Sequence, residues 1–314
     1  MAHFLVVGDA AVDQMYFVSE FPEQGGEVPS TRALMEPGGA GGTVATVLAR
    51  LGNPTRIATR LGTGPFAQLA LRNLVDAGVD TSLVQHDPQH QTASVTLIIT
   101  PDAQRTMISA SGSSRHLDAG ELNEEDVATC DALVMSAYAL VGGKQKEYAL
   151  QALSYAQKHR LTTFVDLGTG AVNALGDRLI PLVKSVDYLL MNEHELYLVS
   201  GGASISDAVN ELRDMGLEQL IVKVGEMGSI VITPELNELV EAHDIDGVID
   251  STGAGDYYTA AFAHAVMAGN DLISAARLAN VAGALNTTRV GAQNMRLDDD
   301  TLQRHAALLS STPA

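Results

Sequence analysis

The chain opens with a short apolar run, HFLVVGDAAVD, that closes on glycine and aspartate. A run without polar alternation predicts a strand buried on both faces, its polar groups gathered at the C-terminal end. Helical and strand spacings then alternate. GTVATVLARLG carries apolar residues at helical intervals, PTRIATRLG reads as a strand, and PFAQLALRNLVDAG as a helix. The alternation resumes with DALVMSAY (strand), KEYALQALSYAQKH (helix), TTFVDLG and VDYLLMN (strands), HELYLVSG (helix), and QLIVKVG and SIVITPE (strands). GDYYTAAFAHAVMAG and DLISAARLANVAGALNTTRVG close the series as helices. Repeated βα units with doubly buried strands predict an α/β fold, a parallel sheet covered by helices.

Two stretches break the rhythm. Residues 14–37 hold Pro, Gly and short extended runs, and SVTLIITPDAQRTMISASG reads as two strands around the turn signal Pro101-Asp102. Strands inserted into an α/β alternation usually form a small sheet outside the main one, either a plain edge extension or a lid over the C-terminal edge of the main sheet, where such folds bind ligands. A lid is expected here, because both insertions follow elements ending at the same edge. The expected division is therefore a large domain of residues 1–13, 38–93 and 113–314, with a lid of 14–37 and 94–112. The outer face of so small a sheet is a ready surface for a partner subunit, and Tyr16, Phe17, Val18, Val95, Leu97 and Ile99 suit such a contact, although one-sided packing on the main body explains them as well.

At 314 residues the chain fits one large domain with a small appendage. Lys plus Arg is 19 and Asp plus Glu is 38, a formal charge of −19. A body this acidic repels a phosphate backbone, which excludes nucleic acid and anionic membrane as expected partners. An anionic ligand must be held by a local device such as a helix N-terminus. The single Cys130, in the apolar-flanked run TCDALVM, excludes an intrachain disulfide and reads as an inert thiol. No charged-then-apolar leader precedes FLVVGD and no apolar run has the length of a membrane span, so a cytoplasmic location is expected.

The sharpest constellation is Asp250-Ser-Thr252-Gly253-Ala254-Gly255-Asp256, followed at once by an apolar helix. The glycines let backbone N–H groups approach a ligand, and the helix start adds unpaired N–H groups and a favourable dipole. Together they make an anion hole for a phosphoryl group. A carboxylate in that place suits a general base that takes a proton from an attacking hydroxyl. Asp256 as a mere N-cap would need neither the glycines nor Asp250. A second block, Pro37-Gly38-Gly39-Ala40-Gly41-Gly42-Thr43, opens another helix and allows close approach by a small polar ligand, although a tight turn alone explains two of its glycines. Asp13, placed at the end of the opening strand, could accept hydrogen bonds from sugar-like hydroxyls or equally be a surface turn residue. In Met191-Asn192-Glu193-His194-Glu195, Asn192 and Glu195 either face the cleft and hold a hydrated Mg²⁺ or form an N-x-x-E helix cap, with His194 toward solvent. Lys223-Val-Gly225-Glu-Met-Gly228 is a strand-to-turn segment of the kind that lies under a nucleotide, and also one that any tight hairpin supplies. Tyr138, closing DALVMSAY, either stacks on a base or sugar face or packs in the core.

In motif and in order, GGAGG, NEHE, KVGEMG and DSTGAGD resemble the ribokinase-like (PfkB) family of carbohydrate and nucleoside kinases over nearly the whole chain. The resemblance implies a three-layer αβα fold with a mostly parallel central sheet and a β lid. It implies ATP-dependent transfer of the γ-phosphoryl group to a substrate hydroxyl, with Mg²⁺ and often a stimulatory K⁺, and a homodimer formed through the lid. By position it makes Asp256 the base and Gly253, Ala254 and Gly255 the anion hole. Asp13, Gly39, Thr43, Arg105 and Tyr138 fall on the substrate side. Asn192, Lys223, Gly225, Gly228 and Asn280 lie along ATP, and Glu195 holds Mg²⁺ through water. Backbone around Asp250, Thr252 and the Arg289–Gln293 segment forms the monovalent-cation loop.

The chain also departs from the family pattern. Thr43 stands where many relatives have Asn, Gly62-Thr-Gly64-Pro replaces a common acidic G-D-D, the Asn of D-x-N is missing after FVDLG, and the cation loop ends GAQNM. These changes bear on substrate identity and K⁺ dependence. A free sugar or sugar acid is the expected acceptor and a nucleoside the alternative, while Ala40 leaves no cation for a phosphorylated sugar. Two readings from other classes are a catalytically silent sugar- or nucleotide-binding regulator, against which the intact Asp256 argues, and an NAD-dependent dehydrogenase. The latter rests on Gly62-x-Gly64-x-x-Ala67 with Asp80 as its acidic residue.

Overall fold

The computed structural model describes residues 1–102 and 105–309. Residues 103–104 of the expected lid and 310–314 of the expected large domain lie outside the described residues. The strands, in chain order, are β1 (Phe4–Val7), β2 (Ala11–Val18), β3 (Ser30–Gly38), β4 (Thr55–Gly62), β5 (Val84–Asp87), β6 (Ser94–Ile99), β7 (Arg105–Ala110), β8 (Ala132–Ser136), β9 (Thr162–Asp166), β10 (Tyr188–Asn192), β11 (Leu220–Lys223), β12 (Gly228–Ile232) and β13 (Asn237–Glu241). Nine of them form one sheet in the order β13-β12-β11-β10-β9-β8-β1-β4-β5. It is parallel from β11 to β5, with β12 and β13 antiparallel at the edge.

Alternation within β1 shows why both faces must be covered. Phe4 and Val6 join one core with helices Ala40–Arg50, Pro65–Asp76, Ala254–Met267 and Leu272–Thr287. Leu5 and Val7 join a second core with helices Gly143–His159, Glu193–Ser200 and Ile205–Asp214. All four side chains are essentially inaccessible, so each helical layer removes an apolar face from water at about 25 cal/mol per Å².

The opening run is not one strand. β1 ends at Val7, and after Gly8-Asp9-Ala10 the chain enters a second sheet at Ala11. Asp13 therefore sits inside β2, not at the end of the first strand. The break is steric as well as polar, because helix Ala40–Arg50 starts hard against it. A Cβ on Gly41 would lie 2.5 Å from the Gly8 carbonyl carbon. Two edge strands, VQHD of β5 and NELVE of β13, escape the sequence reading because they carry too few apolar residues to make a run.

The second sheet runs β3-β2-β6-β7 and is built from both inserted segments. Register puts Met15 opposite Leu97 and Leu97 opposite Met107, on the face that also carries Arg105. Leu97 is 1% exposed, so it packs inward and does not belong to an outer contact face. The opposite face carries Tyr16, Ile98 and Ile108.

Candidate active site

Strand β1 has β4 on one side and β8 on the other, so successive crossovers leave it in opposite directions and open a crevice at its C-terminal end. A cleft of about 470 Å³ occupies that place. Val6, Ser136, Asp166, Asn192 and Lys223, from the ends of β1, β8, β9, β10 and β11, line its floor, and Arg105 and Met107 of β7 lean over it.

One wall is the start of helix Ala254–Met267. Its N-cap is Gly253 at φ 80°, and a Cβ there would come within 2.8 Å of Ala292, so glycine is required twice over. Asp256 stands in the first turn and lines the cleft. Desolvation, then the charge of Asp166, push its carboxyl up to about 8 against the pull of Lys223; Asp13 and Glu195 add to the rise. The arrangement presents a poised carboxyl beside backbone N–H groups and an ammonium, which suits proton removal from a hydroxyl with charge developing nearby.

Lys223 Nζ donates to Asp166 Oδ1 at 2.7 Å, and Thr259 Oγ1 donates to Asp166 Oδ2 at 2.7 Å. Asp166 was quoted only as part of FVDLG, yet it sits in the centre of the site. The signal available was an aspartate ending a buried strand at the same sheet edge as Asn192 and Lys223. Ser136 and Thr169 also line the cleft and were likewise missed. Thr169 Oγ1 donates to Glu195 Oε1 at 3.0 Å, while Glu195 Oε2 accepts from Asn192 N and Asn192 Oδ1 accepts from Glu195 N. The helix cap is thus formed, and both its residues line the cleft as well. His194 is exposed.

Gly253, Gly255, Asp256, Thr252, Arg105, Tyr138, Asn192, Glu195, Lys223 and Gly225 meet in this cleft. Asp13, Gly39, Thr43, Ala254, Gly228, Asp250 and Asn280 do not line it. Asp13 is 4% exposed, and desolvation together with the Asp250 charge raises its carboxyl to about 7. Thr43 is fully buried, its hydroxyl accepting from Gln293 Nε2 at 3.4 Å. The early glycine block chiefly lets chain pack on chain: besides Gly41, a Cβ on Gly38 would collide with the Asp13 carboxylate and one on Gly39 with the Asp9 carbonyl. Gly228 opens β12 at φ 108°, where a Cβ would collide with the Val240 carbonyl of β13, and Asn280 Nδ2 donates to the carbonyls of Val240 and Glu241, tying the sheet edge to its helix.

Tyr138 is 40% exposed, not a core residue. Its ring lies where a Cβ on Gly168 would be 2.5 Å away, and its hydroxyl accepts from Gly170 N at 3.4 Å. The asparagine absent from the D-x-N pattern would collide with this ring. Arg105 turns its guanidinium onto the loop before Gly253, with Nη1 donating to Thr252 Oγ1 at 2.7 Å.

Two other places are set aside by their contacts. Asp80 pairs with Arg56 at 2.7 Å beside the N-terminal end of β4, the wrong edge for a dinucleotide-binding acid. Asp87, His90 and His116 cluster near the end of β5, but the Asp87 carboxylate already accepts from Arg60, from His90 Nδ1 and from the amides of Gln89 and His90. Burial raises the Cys130 thiol, in keeping with an inert side chain.

Comparison with known proteins follows the same lines. The profile of the family described as pfkB family carbohydrate kinase matches residues 1–299. The deoxyribokinase of Salmonella typhi is 24% identical over 296 residues, covering 92% of this chain and 94% of that protein. Among solved structures, Arabidopsis thaliana ribokinase complexed with ribose and ATP superposes with a TM-score of 0.83 at 23% identity, covering 97% of this chain and 98% of that one. Adenosine kinase from Sinorhizobium meliloti gives 0.86 at 21% identity, with coverage of 97% and 99%. At these identities the two structures share the fold.

Proposed function

The chain belongs to the pfkB family of carbohydrate kinases, and from that premise we propose that it moves the γ-phosphoryl group of ATP onto a hydroxyl of a free, neutral sugar, with Asp256 as the base. The observation that carries this reading is the Asp256 carboxyl, raised to about 8 in the first turn of the helix behind Gly253–Gly255. A base near the working pH accepts the hydroxyl proton as the O–P bond forms, and the helix N-terminus meets the charge on the phosphoryl oxygens.

Charge within the cleft favours a neutral acceptor over a sugar acid. Among the described lining residues the cations are Arg105 and Lys223, and each already faces a carboxylate, Asp250 and Asp166. Relatives named for ribose and deoxyribose put pentoses first among the acceptors to test. Tyr138, exposed at the cleft over Gly168, offers a face for a sugar ring, and a nucleoside would use the same ring for its base.

Mg²⁺ fits the donor set. Glu195 and Asn192 offer oxygens, and Glu195 spends its hydrogen bonds on Asn192 N and Thr169, which leaves lone pairs for the waters of a hydrated ion. Bound there, the ion would screen the charge of the transferring phosphates. K⁺ fits less well. The Thr252 carbonyl accepts from Asn286 Nδ2 at 2.7 Å, and the Asp250 carboxylate is met by Thr252, Gly291 and Arg105. Protein donors thus already hold the loop that a monovalent cation would occupy.

The test is ADP release with MgATP and a panel of pentoses, hexoses, sugar acids and nucleosides. A pentose or hexose preferred by at least tenfold in kcat/KM supports the reading. A preferred nucleoside transfers it to the alternative acceptor class, and a preferred sugar acid removes the charge argument.

A further inference from the structure

Arg105 begins β7 in the lid, yet its guanidinium is spent on the loop that leads into the anion hole. Nη1 donates to Thr252 Oγ1 at 2.7 Å and lies 3.4 Å from Asp250 Oδ1, while Nη2 donates to Ser251 Oγ at 2.6 Å. The Thr252 hydroxyl in turn donates a hydrogen bond to Asp250 Oδ1 at 2.6 Å, and Asp250 Oδ2 accepts from Gly291 N at 2.8 Å. The three residues directly before Gly253 therefore form one network, with a lid residue on one side and the Gly291 backbone on the other.

The turn behind that network has no slack. Gly253 sits at φ 80° with Ala292 packed against it, so movement of Ser251 or Thr252 reaches the N–H groups of the helix start directly. The Arg105 side chain is 28% exposed and that of Asp250 7%, so the Asp250 and Thr252 contacts are partly shielded, which strengthens a charge-assisted hydrogen bond, while the Ser251 contact is exposed. With both terminal nitrogens engaged on the loop, the guanidinium is poorly placed to orient a sugar.

We propose that Arg105 is a positioning residue. It sets the anion hole through Ser251 and Thr252, so that the geometry for phosphoryl transfer is complete only with the lid closed. This deepens the kinase reading and rests on it for the chemistry, but the coupling itself is a property of the protein alone. Loss of the contact acts on a group that stabilises the transition state rather than on nucleotide affinity, so kcat falls and KM does not.

Amide hydrogen exchange read by mass spectrometry on the parent, Arg105→Gln, Arg105→Lys, Ser251→Ala/Thr252→Val and the triple variant tests the coupling without any acceptor. Arg105→Gln should speed exchange across residues 250–256 by about tenfold, with Arg105→Lys intermediate. Ser251→Ala/Thr252→Val should speed exchange in β7, and adding Arg105→Gln to it should change the loop less than about twofold, since interacting sites are non-additive. With MgATP alone as the probe, slow transfer to water should fall by about 10- to 100-fold in Arg105→Gln with KM for MgATP within about threefold. Unchanged loop exchange in Arg105→Gln, or effects that multiply in the triple variant, would overturn the proposal. If the kinase reading were wrong, transfer would be absent in the parent while the exchange coupling persisted, so the two failures are distinguishable.

Discussion

Asp13 and Asp256 are carboxyls held in places that disfavour their charged forms, at about 7 and about 8 against an ordinary 3.8. Between the ordinary and the raised values the folded protein keeps protons that the unfolded chain has lost. Their contribution to stability is full below pH 3.8, declines as pH rises, and is gone above about pH 8. Activity has the opposite slope, because the base works only when deprotonated. In the free enzyme kcat/KM should rise about tenfold per pH unit between 6 and 7 and flatten above about 8. Asp256→Asn should remove most of that rise and raise the melting temperature at pH 8; a pH profile that is flat from 6 to 8 would remove the raised carboxyl from the mechanism. Asp256 was legible in the sequence because glycine, carboxylate and helix start are adjacent along the chain. Asp166 was not, because Asp166, Lys223 and Thr259 come from three separate elements that only the fold brings together.

Two glycines at the start of helix Ala254–Met267 do different work, although the sequence presents them as a pair. Gly253 is fixed by its φ of 80° and by Ala292, whereas Gly255 is helical and a Cβ there would meet only Lys223 Nζ, at an ordinary 3.5 Å. Backbone strain therefore belongs to Gly253 alone. Gly255→Ala should leave the melting temperature within about 2 °C and lower kcat at least tenfold, since the added methyl would sit in the cleft wall beside Lys223, where the proposed anion hole lies. Gly253→Ala should lower both, with a stability loss of about 1–3 kcal/mol from the left-handed backbone and the contact. Thermal melts and kinetics of the two variants separate the roles, and equal melting temperatures would erase the distinction. The alternation of strands and helices was readable because buried parallel strands are continuous apolar runs. The split between β1 and β2 was not, since Val6 and Val12 look alike until the glycine-to-glycine approach of Gly8 and Gly41 forces the chain into another sheet.

At the scale of the whole molecule, a body of charge −19 places the proposed anion hole at one edge of its large sheet, where Arg105 and Met107 of the second sheet also line the cleft. The lid's outward face carries Met35 at 51% and Ile108 at 61% exposure, an apolar surface that a second copy of the chain would cover. A homodimer through this face should sediment as a single species at micromolar concentration and dissociate on Ile108→Asp. A monomeric parent, or a dimer indifferent to the change, assigns the face no such role. Phosphoryl transfer with Asp256 as the proposed base is tested most directly by ADP release. ADP release should be followed with saturating MgATP and the best acceptor of the panel, for the parent and for Asp256→Asn. The parent should turn over and the variant should lose about 10²–10⁴ in kcat with MgATP affinity preserved; turnover of Asp256→Asn within a few-fold of the parent would contradict Asp256 as the base.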